Sequence, residues 1–217
     1  MGLRPLDVEG VCREALGLGW RGVGVPHRVG VEGLDVVRRV DLEPKSASQL
    51  LRELRAVRRR AELIHVRCGS KEVARQAGRD RRVDLVSFSP GGRFRYMDRQ
   101  QANLMVETGA AYLLDLGLLL VGEGWRLAKM VRFLSRNAWE ALDGGVPVVA
   151  SSCARDRWGL RDPYGLVALL DLLGFDEGEG WRMVSEVPYG LVERNRAKLG
   201  RGFVEPGVWR VDPPGGG

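Results

Sequence analysis

The chain has 217 residues and a mass of 24.0 kDa, enough to bury a sizeable core as one larger domain or two small ones. Hydrophobic residues make up 44% of it and charged residues 29%, which is ordinary for a soluble globular protein. The net charge of +6 and the pI near 9.6 favour an anionic partner, with nucleic acid as the first candidate.

The pattern of apolar residues and cysteines argues against a membrane-spanning protein and against a disulfide-stabilised one. The longest apolar run, residues 110–122, contains Asp115 and is too short to span a bilayer. No charged-then-apolar targeting signal opens the chain. Cys12, Cys68 and Cys153 are scattered, without Cys-x-x-Cys spacing, which argues against a disulfide framework. We therefore expect a cytoplasmic protein without a membrane anchor.

Strand-like and helix-like segments alternate along the chain. Asp7 precedes an amphipathic helix, and Ser46 opens a second one. Further helices are predicted at 70–77, 98–107, 125–142 and 163–173, followed by a helical end broken at Pro188. Strands are predicted at 3–6, 21–26, 36–42, 61–66, 83–88, 112–116 and 148–151.

This alternation predicts a mostly parallel sheet covered by helices. Its seven units fit a small (β/α)₈ TIM-like barrel with a short, proline-containing first strand, and an open doubly wound sheet is the alternative. No internal linker separates domains, so residues 1–200 should form one barrel domain. Residues 201–217 should form a tail, disordered from Pro206 onward.

The segment from Val148 to Pro163 is the most informative part of the chain. An apolar strand ends at Ser151 and Ser152, and a loop with three arginines leads into a helix that starts at Pro163. Arginine presents a planar, permanently charged fork of donors that suits phosphate oxygens. The alternative is an ordinary polar loop with incidental surface arginines.

Two further basic segments should join it, because a barrel brings all loops that follow its strands to one face. The loop at 89–99 interleaves arginines with Phe94 and Tyr96, a mixture suited to stacking on unpaired bases. On the long helix, Arg126 and Lys129 lie opposite the apolar stripe. Both segments could equally be plain solvated surface.

Candidate catalytic residues are few. His27 follows a strand and His65 lies within one, and neither has the spacing of a multi-histidine metal site. Ser151 and Cys153 end a strand without an identifiable base. Asp84 and Asp115 could pair or bind a metal, although buried carboxylates satisfied by neighbours are the simpler interpretation. We therefore predict no catalytic residue and no metal ligand.

An ordered set of segments resembles archaeal ribonuclease P protein component 3. The set consists of residues 83–90, residues 113–120, residues 149–152 followed by Trp158, Leu160, Arg161 and Pro163, and Gly174-Phe175. The resemblance runs from about Asp7 to Leu199. It implies an eight-stranded barrel related to the polymerase-and-histidinol-phosphatase hydrolases, without their histidine ligands.

The resemblance also implies a function. The chain would be a subunit of ribonuclease P that binds the catalytic RNA and a small partner protein, protein component 2, and would meet precursor tRNA indirectly. The RNA would perform the hydrolysis with Mg²⁺, so the chain would need no cofactor. Combining this with the loops above, we expect RNA contacts from Arg93, Arg95, Arg99, Arg126, Lys129, Ser151, Ser152, Arg155, Arg157 and Arg161.

Two other functions stay open at this point. One is an autonomous metal-dependent barrel phosphohydrolase using Asp84, Asp115 and His27, and the other is a plain oligomeric scaffold. Replacing Arg157 and Arg161 together by alanine should weaken RNA binding without unfolding if the first function is correct.

Overall fold

Six parallel strands form one curled sheet, the half-barrel, in the order β1 to β6. The computed structural model describes residues 7–90, 96–120, 122–200, 203–205 and 208–209. The strands are β1 (Gly22–Val25), β2 (Asp35–Leu42), β3 (Leu63–Cys68), β4 (Leu85–Phe88), β5 (Ala111–Asp115) and β6 (Val148–Ser151). A doubly wound sheet would reverse its strand order at a switch point, so the unbroken sequential order favours the barrel-type fold.

Nine helices accompany the sheet in the described residues: α1 (Val8–Gly17), α2 (Ala47–Val57), α3 (Lys71–Gly78), α4 (Arg99–Thr108), α5 (Gly117–Leu120), α6 (Gly124–Asp143), α7 (Pro163–Asp171), α8 (Glu177–Trp181) and α9 (Val187–Leu199). Several begin at a side chain that accepts a hydrogen bond from the first turn, as Asp7, Ser46 and Asp98 do. None of these helices is long and apolar enough to cross a bilayer.

The sheet has an outer and an inner apolar face because side chains alternate along each strand. Outer-face residues such as Ile64, Val86 and Leu114 pack in the main core beneath the helices. Inner-face residues form a smaller cluster that includes Leu113 and Val149 and is closed by Leu191 and Val192 of α9. The last helix therefore fills the inside of the half-barrel.

Polar residues of α9 also bind the amino edge of the sheet, where β2 to β6 begin. The Arg196 guanidinium donates to both Asp35 oxygens at 2.8 and 2.7 Å and to Glu62 at 2.8 Å. Asn195 donates to the Glu62 carbonyl at 2.9 Å, and Arg194 donates to the Gly109 carbonyl at 2.7 Å. These bonds fix the helix to one end of the half-barrel and leave the carboxyl edge to the loops.

Two expectations differ from the structure and a third stays a prediction. The predicted strand at 3–6 lies outside the described residues, in which the sheet has six strands. The helical end is not broken at Pro188: a π-helical turn, Arg182–Glu186, leads into α9, whose first turn accommodates the proline. In the tail, Phe203–Glu205 (β7) pairs with Val208–Trp209 (β8), so disorder from 206 is wrong for β8, and the rest of 206–217 is outside the described residues.

Candidate nucleic-acid interface

Hydrogen bonds between side chains and backbone groups within the loop after β6 hold this loop in a fixed shape. Asp156 caps a 3₁₀ turn, Arg157–Gly159, by accepting from the Gly159 N–H at 2.9 Å. The Arg161 guanidinium donates to the Trp158 and Leu160 carbonyls at 2.9 and 2.6 Å. The loop therefore presents its outward side chains in a fixed arrangement.

This arrangement divides the predicted phosphate ligands into two groups. Arg155 and Arg157 are exposed, and neither forms an ion pair with a carboxylate in the described part of the chain. Arg161 is half-buried and already donates twice within the loop. Ser151 accepts from the Cys153 N–H at 3.1 Å, while Ser152 is half-buried beside it. Arg155 and Arg157 are thus the free donors here.

Although α7 follows these arginines directly, its amino end does not add a phosphate site. Asp162 caps this helix and accepts from the Gly165 N–H at 3.0 Å. The Asp162 carboxylate already takes the Gly165 N–H, and its negative charge would repel an anion at this end of the helix. The helix start is therefore a structural cap.

The end of β5, which precedes α5 and α6, lies next to this loop. Leu116 N–H donates to the Ser151 carbonyl at 2.9 Å, and a side chain on Gly117 would clash with the Ser152 carbonyl. The loops after β5 and β6 therefore touch. From the first of them α6 begins, with exposed Arg126 and Lys129. Both predicted cations thus stand at the same edge as the arginines of the β6 loop.

Arg126 and Lys129 flank one aromatic ring. Lys129 Nζ lies 4.5 Å and Arg126 Cζ 5.8 Å from the centre of the Trp125 ring, which is 64% exposed. Likewise Arg157 Cζ lies 4.4 Å from the centre of the Trp158 ring, 73% exposed. Two tryptophans, each beside a cation, therefore project at neighbouring loops.

The loop after β4 is described only at its ends. Arg93, Phe94 and Arg95 lie outside the described residues, and Arg99 is exposed at the start of α4. Tyr96 is buried, stacks on Phe88 with ring centres 5.2 Å apart, and donates to the Gly69 carbonyl at 3.2 Å. The prediction that Tyr96 stacks on bases is therefore wrong, because its ring belongs to the core.

Inside the half-barrel, a row of hydrogen bonds crosses β2, β3 and β4. His65 shares a 2.5 Å hydrogen bond with Asp41 through Nδ1 and a 2.8 Å bond with Ser87 through Nε2. Arg39 donates to Asp41 at 2.7 Å. Burial lowers the pKa of His65, while the bond to Asp41 opposes this, and the ring stays neutral. His65 is therefore a buried histidine whose two ring nitrogens are both hydrogen-bonded.

A second polar contact links β3 to the end of β5. Arg67 donates to Asp115 at 3.2 Å and forms an ion pair with Glu43 at 3.2 Å. Arg67 also lines a cleft of about 350 Å³ that reaches Lys45, Ser70 and Ser89 at the carboxyl edge.

Burial raises the pKa of the Cys153 thiol, so this cysteine is not an activated nucleophile.

The three residues of the hydrolase hypothesis lie apart. Asp84 precedes β4 at the amino edge, accepting from Ile64 N–H at 2.9 Å and Arg58 at 3.1 Å, whereas Asp115 ends β5 at the opposite edge. His27 follows β1, which pairs with the first half of β2, whereas β3 pairs with the second half of β2. Along the strand direction, β1 therefore ends at the level where β3 begins. These residues cannot form one site, and no cluster of three metal-binding side chains occurs in the described residues.

Sequence reasoning overlooked Trp125 and gave Trp158 no role. Aromatic residues of a sequence are usually assigned to the core, and their exposure depends on tertiary packing. The available signal was local: a tryptophan with lysine four residues later in a first helical turn, and a tryptophan directly after an arginine.

Comparisons with known proteins agree with this architecture. The family model described as RNase P subunit p30 matches residues 26–199. Ribonuclease P protein component 3 of Methanosarcina acetivorans is 28% identical over 178 residues, covering 82% of this chain and 74% of that protein. The component 3 protein of Methanopyrus kandleri is 31% identical over 179 residues, covering 82% and 73%.

One solved structure has the same fold over nearly the whole chain. A chain of a cryo-EM structure of archaeal ribonuclease P with mature tRNA superposes with a TM-score of 0.82 at 22% identity, covering 97% of each chain. The TIM-like fold implied by the strand order is thereby confirmed. With the family model matching most of the sequence, the chain belongs to the RNase P subunit p30 family and is a subunit of ribonuclease P, the endoribonuclease complex of tRNA processing.

Proposed function

We propose that this subunit binds the catalytic RNA of ribonuclease P through the carboxyl-edge loops of its half-barrel. Together with the small partner protein, component 2, it would promote removal of the 5′ leader from precursor tRNA in the cytoplasm. Hydrolysis and Mg²⁺ would belong to the RNA, and this chain would hold no cofactor and contribute no catalytic residue. The similar structure that contains mature tRNA supports RNA as the partner.

The observation that carries this proposal is the set of unpaired cations at one edge. Arg99, Arg126, Lys129, Arg155 and Arg157 are exposed and form no carboxylate ion pair within the described residues. Arginines that lie between packed elements are paired, as Arg75 is with Asp98 at 2.7 Å, whereas other exposed arginines, such as Arg59 and Arg60 after α2, lie away from this edge. Exposed guanidinium groups without a carboxylate are available to phosphates.

The contacts of the buried carboxylates argue against catalysis by this chain itself. The inner-face carboxylates Asp41 and Asp115 each contact an arginine, Arg39 and Arg67 respectively. Asp84 contacts Arg58 at the other edge. Although burial opposes its ionisation, hydrogen bonds from His65 and Arg39 hold the pKa of Asp41 well below its usual range, which makes Asp41 a poor general base, whereas burial raises the pKa of Asp115 against the effect of Arg67.

Reconstituted cleavage of precursor tRNA at limiting Mg²⁺ tests the proposal. Cleavage should require the cognate RNA and should rise when this chain and its small partner are added. Phosphoesterase activity in the chain alone, with no effect of the pair on cleavage, would contradict it.

Variants of Arg155 and Arg157 locate the interface. Replacing both by alanine should reduce the log–log salt slope of RNA binding by about 1.4–1.8, since each phosphate contact contributes about 0.7 on single strands and 0.9 on duplex. The matched control replaces Arg59 and Arg60, two exposed arginines after α2 at the other end of the sheet. An equal loss in the control would show that net charge, and not this edge, governs binding.

Arg161 needs separate treatment. Because its guanidinium holds the Trp158 and Leu160 carbonyls, Arg161→Ala should lower thermal stability as well as RNA affinity. The original double replacement with Arg157 would therefore mix folding with binding. Replacing Arg155 and Arg157 avoids this.

A further inference from the structure

Two tryptophans at the carboxyl edge stand out among the exposed side chains. Trp158 is 73% exposed on the loop after β6, and Trp125 is 64% exposed at the start of α6. By contrast, Trp139 stacks on Phe175 at 4.7 Å and donates to the Leu173 carbonyl. Unlike Trp139, these two large rings are exposed to solvent and do not pack against the rest of the chain over most of their surface.

Each ring has a cation near one face. Arg157 lies 4.4 Å from the ring centre of Trp158, and Lys129 lies 4.5 Å from that of Trp125. Arg126 lies 5.8 Å from the centre of the Trp125 ring as well. Such contacts restrain the rings, while their high exposure leaves ring surface available to a ligand. The exposed cations beside the rings are also within reach of an anion bound alongside.

The rings are held on firm supports. The 3₁₀ turn that carries Trp158 is capped by Asp156 and braced by Arg161, whose own carbonyl accepts from the Trp20 indole at 2.8 Å. Trp125 belongs to the first turn of α6, a helix of 20 residues. Binding therefore requires little ordering of the protein, which favours affinity.

We propose that Trp125 and Trp158 stack on unpaired bases of RNA while Lys129 and Arg157 contact the adjoining phosphates. The inference rests on the proposed function and specifies its ligand as single-stranded or looped RNA. An apolar protein surface would strip water from the cations without offering them a charge. An unpaired nucleotide supplies both an aromatic face and an anion.

Equilibrium binding of a labelled single-stranded RNA of about a dozen nucleotides, a length within the range of known single-strand sites, tests the proposal. Trp158→Leu and Trp125→Leu should each weaken binding roughly 5- to 150-fold, the loss of one stacked base. Phenylalanine at either position should retain most of the affinity because it keeps a stacking face. The salt slope should not change, since no phosphate contact is removed.

A duplex of equal length provides the second measurement. Its bases are already stacked, so the leucine variants should bind it as the unchanged chain does. Tyr189→Leu is the control: Tyr189 is 66% exposed on α9, and no cation lies over its ring in the described residues. That variant should bind both RNAs normally.

Distinct results identify what has failed. Normal single-strand binding by both leucine variants, with weakened binding by the Arg155 and Arg157 variant, would overturn stacking and leave the proposed function intact. Equal weakening on duplex and single strand with a smaller salt slope would also overturn stacking, because the rings would then only position cations. Normal RNA binding by all of these variants would overturn the interface itself.

Discussion

Asp84 offers the sharpest distinction between a structural and a catalytic carboxylate. Its side chain is 1% exposed and accepts from Ile64 N–H at 2.9 Å and Arg58 at 3.1 Å, with Arg194 at 3.6 Å. Asp84→Asn preserves the volume and one acceptor but removes the negative charge between two guanidinium groups. We expect a large loss of stability and unchanged cleavage by the assembled complex.

The magnitude follows from the burial of the partners. Removing one member of a buried ion pair costs about 3–5 kcal/mol. Arg58 is 19% and Arg194 34% exposed, so water recovers part of the solvation of both, and we expect about 2–4 kcal/mol for Asp84→Asn. Asp84→Ala should lose about 1–3 kcal/mol more, since the Ile64 N–H is then left without an acceptor.

Urea unfolding measures this loss as a lower midpoint at constant slope. Cleavage should then be assayed in the reconstituted complex at a temperature where the variant is folded. Glu9→Gln is the control, because Glu9 pairs with Arg13 on the surface of α1 and should contribute at most about 0.5 kcal/mol. An unchanged midpoint combined with lost cleavage would refute the structural interpretation of Asp84.

Three other predictions concern the loops and the ionisable interior. Gly117→Ala should cost about 1–3 kcal/mol, because its Cβ would clash with the Ser152 carbonyl, whereas Gly190→Ala should gain about 0.5–1 kcal/mol, since nothing lies within 4 Å and the residue is helical. Thermal melts measure both. Burial alone would raise the pKa of Asp98, but hydrogen bonds from Arg75 and a helix N–H hold it at about 2. Its contribution is therefore full above about pH 4 and lost as the pH falls toward 2, and Asp98→Asn should flatten this part of an acid titration. His65, whose pKa is lowered by burial, should titrate in NMR at a pH below its ordinary pKa of about 6.5, which it regains on unfolding.

Each of these has an outcome that contradicts it. Equal melting temperatures for the two glycine variants would show that the loops after β5 and β6 yield freely. An acid transition identical in Asp98→Asn would show that this carboxylate is not stabilised by folding. A titration of His65 near its ordinary pKa would mean that the ring is hydrated.

Local signals predicted the helices well and the inner face poorly. Ser46, Ser70 and Asp98 were identified as helix starts because a capping side chain acts on its own first turn. The pairing of His65 with Asp41 and Ser87 depends on the register of three strands, which sequence spacing does not contain. Helix caps could therefore be predicted from the sequence, whereas hydrogen bonds between side chains on different strands could not.

The candidate site shows the same division. The arginines of the β6 loop were recognised from their density, but the internal role of Arg161 required the loop backbone. Tyr96 was expected to face RNA and lies in the core, while Trp158 faces solvent. Residue type does not distinguish these two aromatics, since both follow an arginine in basic loops.

The half-barrel separates its polar residues into two populations with different capacities. Those that point inward, such as Arg39 and Arg67, form ion pairs with carboxylates and so hold the strands together. Those on the outward loops, such as Arg155 and Arg157, have no such partner among the described residues. For the proposed function this division matters, because a support held together by internal ion pairs keeps the exposed cations at fixed spacing. Exchanging the two populations, by freeing an inner arginine, would loosen the sheet before it added a useful phosphate contact.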